Sequence, residues 1–328
     1  MKLDAAERLV TLSNKDEVRY GSALLATGAN VRRLRAEGGD LDGIHYLRAF
    51  GNADAIRADA EGGARVVLIG GSFIGCEVAA SLASGFGCEC AIVMQEAVTF
   101  ERQFGAGIGG FFQGVLEEHG IAVNGSDELE RFEGDSGRVS RVVTRQGLEL
   151  ECDLVVIGSG VIPDVMLARS AGLELGERGG VKCSSRLETS APALYAAGDI
   201  CEYESVVQGR SLRIEHWDVA FRHGSTVARN MLGHDAPHET VPYFFADLAD
   251  WASMESVGLG PGSDEPVVRG SLEDGAFSTF WLAEDGRLRA ALSVGRPGEV
   301  EQARRLIADR ASPDPDALAD LDRELSPA

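Results

Sequence analysis

Residues 65–80 read RVVLIGGSFIGCEVAA, and this stretch decides the fold. An apolar run from residue 65 ends in glycine, the pattern of a parallel strand buried on both faces. Residues 74–84 then read as an alanine-rich helix. A strand, a glycine turn and a helix in that order present unpaired N–H groups and the positive end of a helix dipole, which suits a dinucleotide pyrophosphate. Gly70 makes the tight turn, and Gly75 lets helix and strand approach; Gly71, Phe73 and Ile74 complete the cradle. Ser72 stands where the second fingerprint glycine is usual. Its Cβ takes up room, and its hydroxyl either bonds phosphate or caps the helix.

Outward from this turn, residues 88–94 (CECAIVM) form the next strand and close a βαβ unit. The strand ends in VMQEA, where an acidic residue normally reads the adenine ribose. Met94 or Gln95 occupies that position and Glu96 follows. No arginine stands there for a 2′-phosphate, although Arg102 is near, so NADH is favoured over NADPH. A helix over 104–119 and a strand over 121–123 come next. Residues 128–152 alternate in short runs broken by DSG and QG, a small antiparallel meander. Residues 153–157 return to a buried strand, followed by Gly158, Ser159 and Gly160, whose backbone can approach a flat ring.

The same grammar occurs earlier. YGSALLATGA at 20–29 and ECDLVVIGSG at 151–160 each follow alternating short strands, then run through an apolar strand into a glycine turn. Two related domains are expected, the first represented by its closing section only. The Gly75-to-Gly158 spacing, applied backward from Gly28, places the first fingerprint upstream of Met1.

Beyond residue 160, residues 186–200 carry an apolar strand ending in Gly198 and Asp199, and 219–232 read as a helix. From residue 241 the sequence changes to five strand-like runs of an antiparallel sheet, a helix over 299–310 and an acidic, proline-marked tail expected on the surface. Phe244, Phe245 and Trp251 read more readily as core of this sheet than as a flavin-facing wall.

The 328 residues carry a formal net charge of −21, with 44% hydrophobic and 25% charged side chains. Such acidity repels nucleic acid and anionic membrane surfaces. No apolar run reaches the length of a membrane span, and MKLDAAERLVTL lacks the apolar stretch of a signal peptide. A cytoplasmic protein is expected, without nucleic-acid or membrane partners. The six cysteines form no C-x-x-C pair and are expected as buried thiols; Cys88 and Cys90 are expected on opposite faces of their strand. No metal site is expected.

LLATGA at 24–29, VVLIGGSFIGCEVAA at 66–80, LVVIGSGVIPD at 154–164, TSAPALYAAGD at 189–199 and IEHWDVAFRHGSTVARNMLG at 214–233, in this order, resemble the FAD-dependent pyridine nucleotide oxidoreductases. The similarity is to the branch of ferredoxin and rubredoxin reductases and apoptosis-inducing-factor-like proteins, and it runs over nearly the whole chain. It implies an α/β protein of two Rossmann-like dinucleotide-binding domains, the first incomplete, plus a C-terminal α+β domain. The expected division is 1–48 and 169–240 for the FAD domain, 49–168 for the NAD(P)H domain and 241–328 for the C-terminal domain.

The resemblance also implies site residues. Thr27, Gly28 and Arg32 flank the adenylate and pyrophosphate side of FAD, and Gly198 and Asp199 meet its ribityl chain. Glu215, His216 and Trp217 meet the isoalloxazine, with Trp217 near the ring. Gly158 to Gly160 close the nicotinamide pocket. Glu77 faces the nicotinamide side of the flavin or, alternatively, is an exposed first-turn glutamate favoured by the helix dipole. The implied activity passes a hydride from nicotinamide to flavin and then electrons to an acceptor: a ferredoxin- or rubredoxin-like protein, or a small molecule. A homodimer is compatible with this organisation. The alternative is a non-catalytic or degenerate NAD(H)-binding protein that holds FAD poorly.

Without a first fingerprint, FAD lacks a helix N-terminus and several charge-assisted hydrogen bonds, each worth about 1–3 kcal/mol. The 328-residue chain is therefore expected to bind FAD weakly, and an added strand–glycine–helix segment to restore binding. The absorption spectrum of purified protein checks this; near-stoichiometric flavin in the chain as it stands refutes it.

Overall fold

The apolar runs at 65–69, 89–93 and 154–157 are strands, and they lie side by side. In the computed structural model, which describes residues 1–260 and 265–326, they form the centre of a five-stranded parallel sheet. Its order is Ile44–Tyr46, Leu154–Ile157, Arg65–Ile69, Glu89–Val93, Ala122–Asn124. The register sets Val66 between Leu154 and Cys90, and Ile69 between Ile157 and Val93. Alternate residues feed opposite faces, which is why the runs are apolar throughout. Val66, Leu68, Ile92, Leu154 and Val156 join one core with the helices Phe73–Phe86 and Glu101–Glu118. Val67, Ile69, Val93, Val155 and Ile157 join another with Phe132, Val139 and Val142 of the meander. Ile44–Tyr46, expected on the far side of a boundary at residue 48, is an edge strand of this sheet.

The helix Glu101–Glu118 begins earlier than its sequence suggests and breaks at Gly105, which takes the non-helical angles φ 83° and ψ 168°. All six cysteines are buried and free. Cys88 and Cys90 enter the same core, overturning the expectation of opposite faces, because residues two apart on a pleated strand share a face.

The chain divides into two units. One comprises residues 31–160, 245–303 and 312–328; the other comprises 1–30, 161–244 and 304–311. The first holds the parallel sheet, the meander and the five-stranded antiparallel sheet expected after residue 241. That sheet runs Tyr243–Leu248, Ala252–Gly258, Leu288–Val294, Ala276–Leu282, Val267–Ser271. Its buried aromatics are Phe277, Phe280 and Trp281. Of the three aromatics expected in its core, half-buried Trp251 packs against that core and stacks on His119 at 4.1 Å between ring centroids, Phe244 is half-buried, and Phe245 sits on the solvent side of the pleat beside buried Ala246.

The acidic tail lies on the surface as expected, and it is anchored to this sheet at Leu318. Leu318 of the short helix Pro315–Ala319 is buried, and Arg269, 5% exposed, donates to the carbonyls of Leu318, Asp320 and Arg323. The Glu299 carboxylate accepts from Arg269 Nε at 3.0 Å, from Ser278 and from Arg296. Burial pushes the Glu299 pKa up, but the bonds from Arg296, Ser278 and Arg269 outweigh it and hold the carboxyl below its ordinary range.

The other unit starts with a three-stranded antiparallel sheet, Lys2–Asp4, Leu9–Thr11 and Glu17–Arg19, and then Ala23–Leu25. This matches the meander that precedes Leu154–Ile157, so the repeated grammar reflects repeated architecture. Ala23–Leu25 pairs in parallel with Leu194–Ala196, and these two strands form a sheet of their own among the described residues. Beside them lie a sheet of Val181–Cys183, Cys201–Ser205 and Arg210–Leu212 and the helix Trp217–Met231.

Replacing Arg269 by Met keeps the volume but removes every donor to the tail and one to Glu299. Breaking a buried ion pair of this kind costs about 3–5 kcal/mol; because Arg296 still serves Glu299, about 2–3 kcal/mol is expected here. Denaturant unfolding measures that loss, and limited proteolysis should cut first near residues 315–323.

Candidate nucleotide sites

The fingerprint turn is closed by main-chain contacts that only glycine permits. Gly70 has φ 113°, and a Cβ on it would lie 2.7 Å from the carbonyl oxygen of Gly158. A Cβ on Gly75 would land on the carbonyl oxygen of Gly70, and one on Gly71 would strike the thioether of Met94. The turn is pinned by Gly70 N–H to Val93 O at 2.8 Å and Phe100 N–H to Gly71 O at 2.8 Å. Ser72 is the N-cap residue but makes no capping bond, which removes one of its two expected roles. Its hydroxyl instead accepts from Gln103 Nε2 at 3.0 Å. An uncapped helix start beside a glycine turn fits the pyrophosphate of a dinucleotide. The residues present therefore fit NAD(H).

At the end of Glu89–Val93, Met94 is 2% exposed and packs on Gly71, so it is no ribose reader. Gln95 is exposed and Glu96 half-buried, and both meet Arg102: Gln95 Oε1 accepts at 3.4 Å, and the Glu96 carboxylate forms an ion pair. The Glu101 carboxylate accepts from the amides of Ala97 at 2.7 Å and Val98 at 3.4 Å, which orders the loop between. Gly158 lies against Gly75, while Ser159 Oγ donates to Arg32 O at 2.7 Å and Gly160 O accepts from Arg32 N–H at 3.0 Å. Arg32 thus ties its backbone to the loop of residues 158–160, with its side chain exposed.

Glu77 is half-buried, not the exposed first-turn residue of the alternative reading. Burial raises its pKa from 4.5 to about 7; the main-chain N–H of Asp247 opposes the rise, and the Asp247 charge adds to it. Asp247 went unseen in the sequence because nothing local links a C-terminal strand to residue 77.

In the other unit, the parallel strands Ala23–Leu25 and Leu194–Ala196 end together, with Ala197 N–H donating to Leu25 O at 3.0 Å. Thr27 and Gly28 therefore emerge beside Gly198 and Asp199, at the C-terminal ends of parallel strands, where α/β folds place nucleotides. The Asp164 loop clasps the first turn: Asp164 O accepts from Thr27 Oγ1 at 2.7 Å, its N–H donates to Gly28 O at 2.9 Å, and its carboxylate accepts from Asn30 at 3.3 Å. The quoted VIPD contained Asp164, but only its long-range partners give it a role.

Asp199 is half-buried and close enough to His216 to raise the imidazole pKa; burial outweighs this and lowers it. His216 caps the helix Trp217–Met231 by accepting from Asp218 N–H at 3.3 Å, and Phe244 packs at 5.0 Å from its ring. Trp217 is 61% exposed, so it is no core residue. Gly198 holds φ 74°, a turn with room for backbone but little for a side chain. A half-buried carboxylate, a glycine turn and an exposed indole fit the sugar chain and flat ring of a flavin.

The sequence profile of the pyridine nucleotide-disulphide oxidoreductase family matches residues 1–224, and that of the reductase C-terminal family matches 243–328. The ferredoxin–NAD(+) reductase component of an anthranilate 1,2-dioxygenase system from Burkholderia cepacia is 34% identical over 325 residues, 97% of this chain and 78% of the relative. Putidaredoxin reductase CamA from Pseudomonas putida is 32% identical over 316 residues, 95% and 74% of the two chains. The crystal structure of a ferredoxin reductase for the CYP199A2 system from Rhodopseudomonas palustris superposes with a TM-score of 0.93 at 32% identity, covering 99% of this chain and 79% of that one. Putidaredoxin reductase in its covalent complex with putidaredoxin gives 0.92 at 30%, covering 99% and 78%.

The folded Glu77 carboxyl keeps a proton that the unfolded chain releases at about 4.3. Stability therefore falls as pH rises from that value to about 7 and stays reduced above. Glu77→Gln should stabilise the protein at pH 8 and leave it unchanged at pH 4. After discounting for solvent screening the gain is about 1 kcal/mol, read from denaturant midpoints at the two pH values.

Proposed function

Because the chain belongs to the pyridine nucleotide-disulphide oxidoreductase family, we propose that it works as an NADH-dependent FAD oxidoreductase delivering electrons to a small ferredoxin-type protein. The observation that carries this is the fingerprint turn, where Gly70 and Gly75 admit no Cβ and Ser72 leaves the helix start uncapped. FAD, held by the residues named below, would supply the redox chemistry between nicotinamide and acceptor.

The chain's own residues bind, orient and exclude water. Gly70, Gly71, Ser72, Phe73, Ile74 and Gly75 cradle the pyrophosphate, Glu96 takes the adenine ribose, and Gly158, Ser159 and Gly160 border the nicotinamide. Glu77, with a carboxyl poised near neutrality, offers the carboxamide end a group that either donates or accepts. Thr27, Gly28, Gly198, Asp199, Glu215, His216 and Trp217 hold the flavin. The names of the relatives support a ferredoxin-type protein as acceptor. Among the described residues no helix is long and apolar enough to cross a membrane, and we place the protein in the cytoplasm.

Anaerobic NADH added to the protein with excess FAD should bleach the flavin absorption, and NADPH should do so at higher concentration. Glu77→Ala should slow bleaching about ten- to a hundredfold in stopped flow while leaving flavin affinity nearly unchanged. A protein that binds NADH but never bleaches the flavin overturns the proposal and points to a nucleotide-binding protein without catalysis.

A further inference from the structure

The turn that carries Gly198 and Asp199 is held at two main-chain atoms by residues with no role so far. Gly198 N–H donates to His223 Nδ1 at 3.2 Å. An Nδ1 that accepts bears the lone pair, so the neutral ring carries its proton on Nε2. His223 is fully buried, boxed by Tyr203 at 4.7 Å and His238 at 4.5 Å, both rings nearly perpendicular to it. Its Nε2 is buried without a hydrogen-bond partner, as is the Tyr203 hydroxyl. Burial, with the His238 ring adding to it, holds the His223 pKa down at about 3, so the ring is neutral under working conditions.

At the next residue, Asp199 O accepts from Arg213 Nη1 at 3.2 Å. The same nitrogen donates to Glu215 Oε1 at 2.6 Å, and Arg213 Nε donates to Arg178 O at 3.1 Å. One largely buried guanidinium therefore yokes Asp199 to Glu215. The rigid guanidinium plane carries one nitrogen to Asp199 and Glu215 and a second to Arg178 in fixed directions, whereas an ammonium is a single nitrogen.

We infer that His223, as the Nε2–H tautomer, and Arg213 are positioning residues for the flavin: they fix the Gly198–Asp199 turn and the Glu215 carboxylate in the orientation that meets the ribityl chain and ring edge. A leucine at 223 leaves Gly198 N–H buried without an acceptor, whereas glutamine returns an oxygen to it. Lysine at 213 keeps the charge but not the second nitrogen that anchors the side chain on Arg178 O. The inference rests on the flavoprotein reading.

FAD titrated into the 328-residue chain, followed by flavin fluorescence and visible circular dichroism, tests it. His223→Leu and Arg213→Met should weaken FAD at least tenfold and change the visible dichroism. His223→Gln should stay within about threefold of wild type, and Arg213→Lys should fall between. NADH affinity should be unchanged in all four. His223→Leu with wild-type affinity and dichroism overturns the inference, and so does equal loss in His223→Leu and His223→Gln, which leaves packing alone. Wild type that binds NADH but no FAD, even with a strand–glycine–helix segment added upstream, defeats the flavoprotein reading itself, and the inference with it. Should His223→Leu fail to fold, ¹⁵N-histidine NMR of the wild type decides: a protonated Nε2 with an acceptor Nδ1 is expected, and the opposite tautomer overturns the assignment.

Discussion

The close approach of Gly75 to the Gly70 carbonyl is the contact on which the nucleotide-binding unit depends. No side chain fits between them, so the strand Arg65–Ile69 passes into the helix Phe73–Phe86 within the shortest connection the backbone allows. That approach fixes the helix over the sheet, buries its alanine face and leaves its positive end at the mouth of the turn. It also sets Glu77, two residues on, where a C-terminal strand covers it. A single methyl group at Gly75 would force helix and strand apart, and every consequence after that would be lost.

Carboxylates in this acidic protein are handled in three ways. Glu299 is buried with two arginines and a serine, and stays ionised to hold the tail in place. Glu202 is buried without a cation in hydrogen-bond contact: it accepts from the amides of Arg178 and Gly180, which shapes the glycine turn above it. Glu77 has one amide and a neighbouring negative charge, too little to offset burial, and so retains its proton to near neutrality. The first two arrangements serve structure. The third leaves a carboxyl whose charge changes easily, two residues along the helix from the fingerprint glycine Gly75.

The internal likeness within the chain is architectural. In both units a three-stranded antiparallel meander leads into a parallel strand and a glycine turn, and in both the turn sits where parallel strands end together. Asp164 and Arg32 show how the turns are steadied. Each ties one glycine-bearing segment to its neighbour through main-chain atoms, so the side chains that meet a ligand are displayed on a backbone already bonded elsewhere.

Strand runs, the meander, the five C-terminal strands and the fingerprint were legible in the sequence because each is written in a local period or a glycine that no other residue replaces. Even so, the pleat at Phe245 and the shared face of Cys88 and Cys90 show that local reading errs when strand phase is misjudged. The anchoring of the tail by Arg269, the Asp247 amide at Glu77, the Gln103 bond to Ser72 and the grip of His223 and Arg213 on residues 198–199 have no local signal. They depend on which distant segments the chain packs together, since a hydrogen bond 14 or more residues away in sequence is specified by tertiary geometry rather than by a local period. The sequence by itself determined the two-cradle α/β plan and its family; only the tertiary structure decided which side chains hold those cradles in shape, because orientation is a property of neighbours in space.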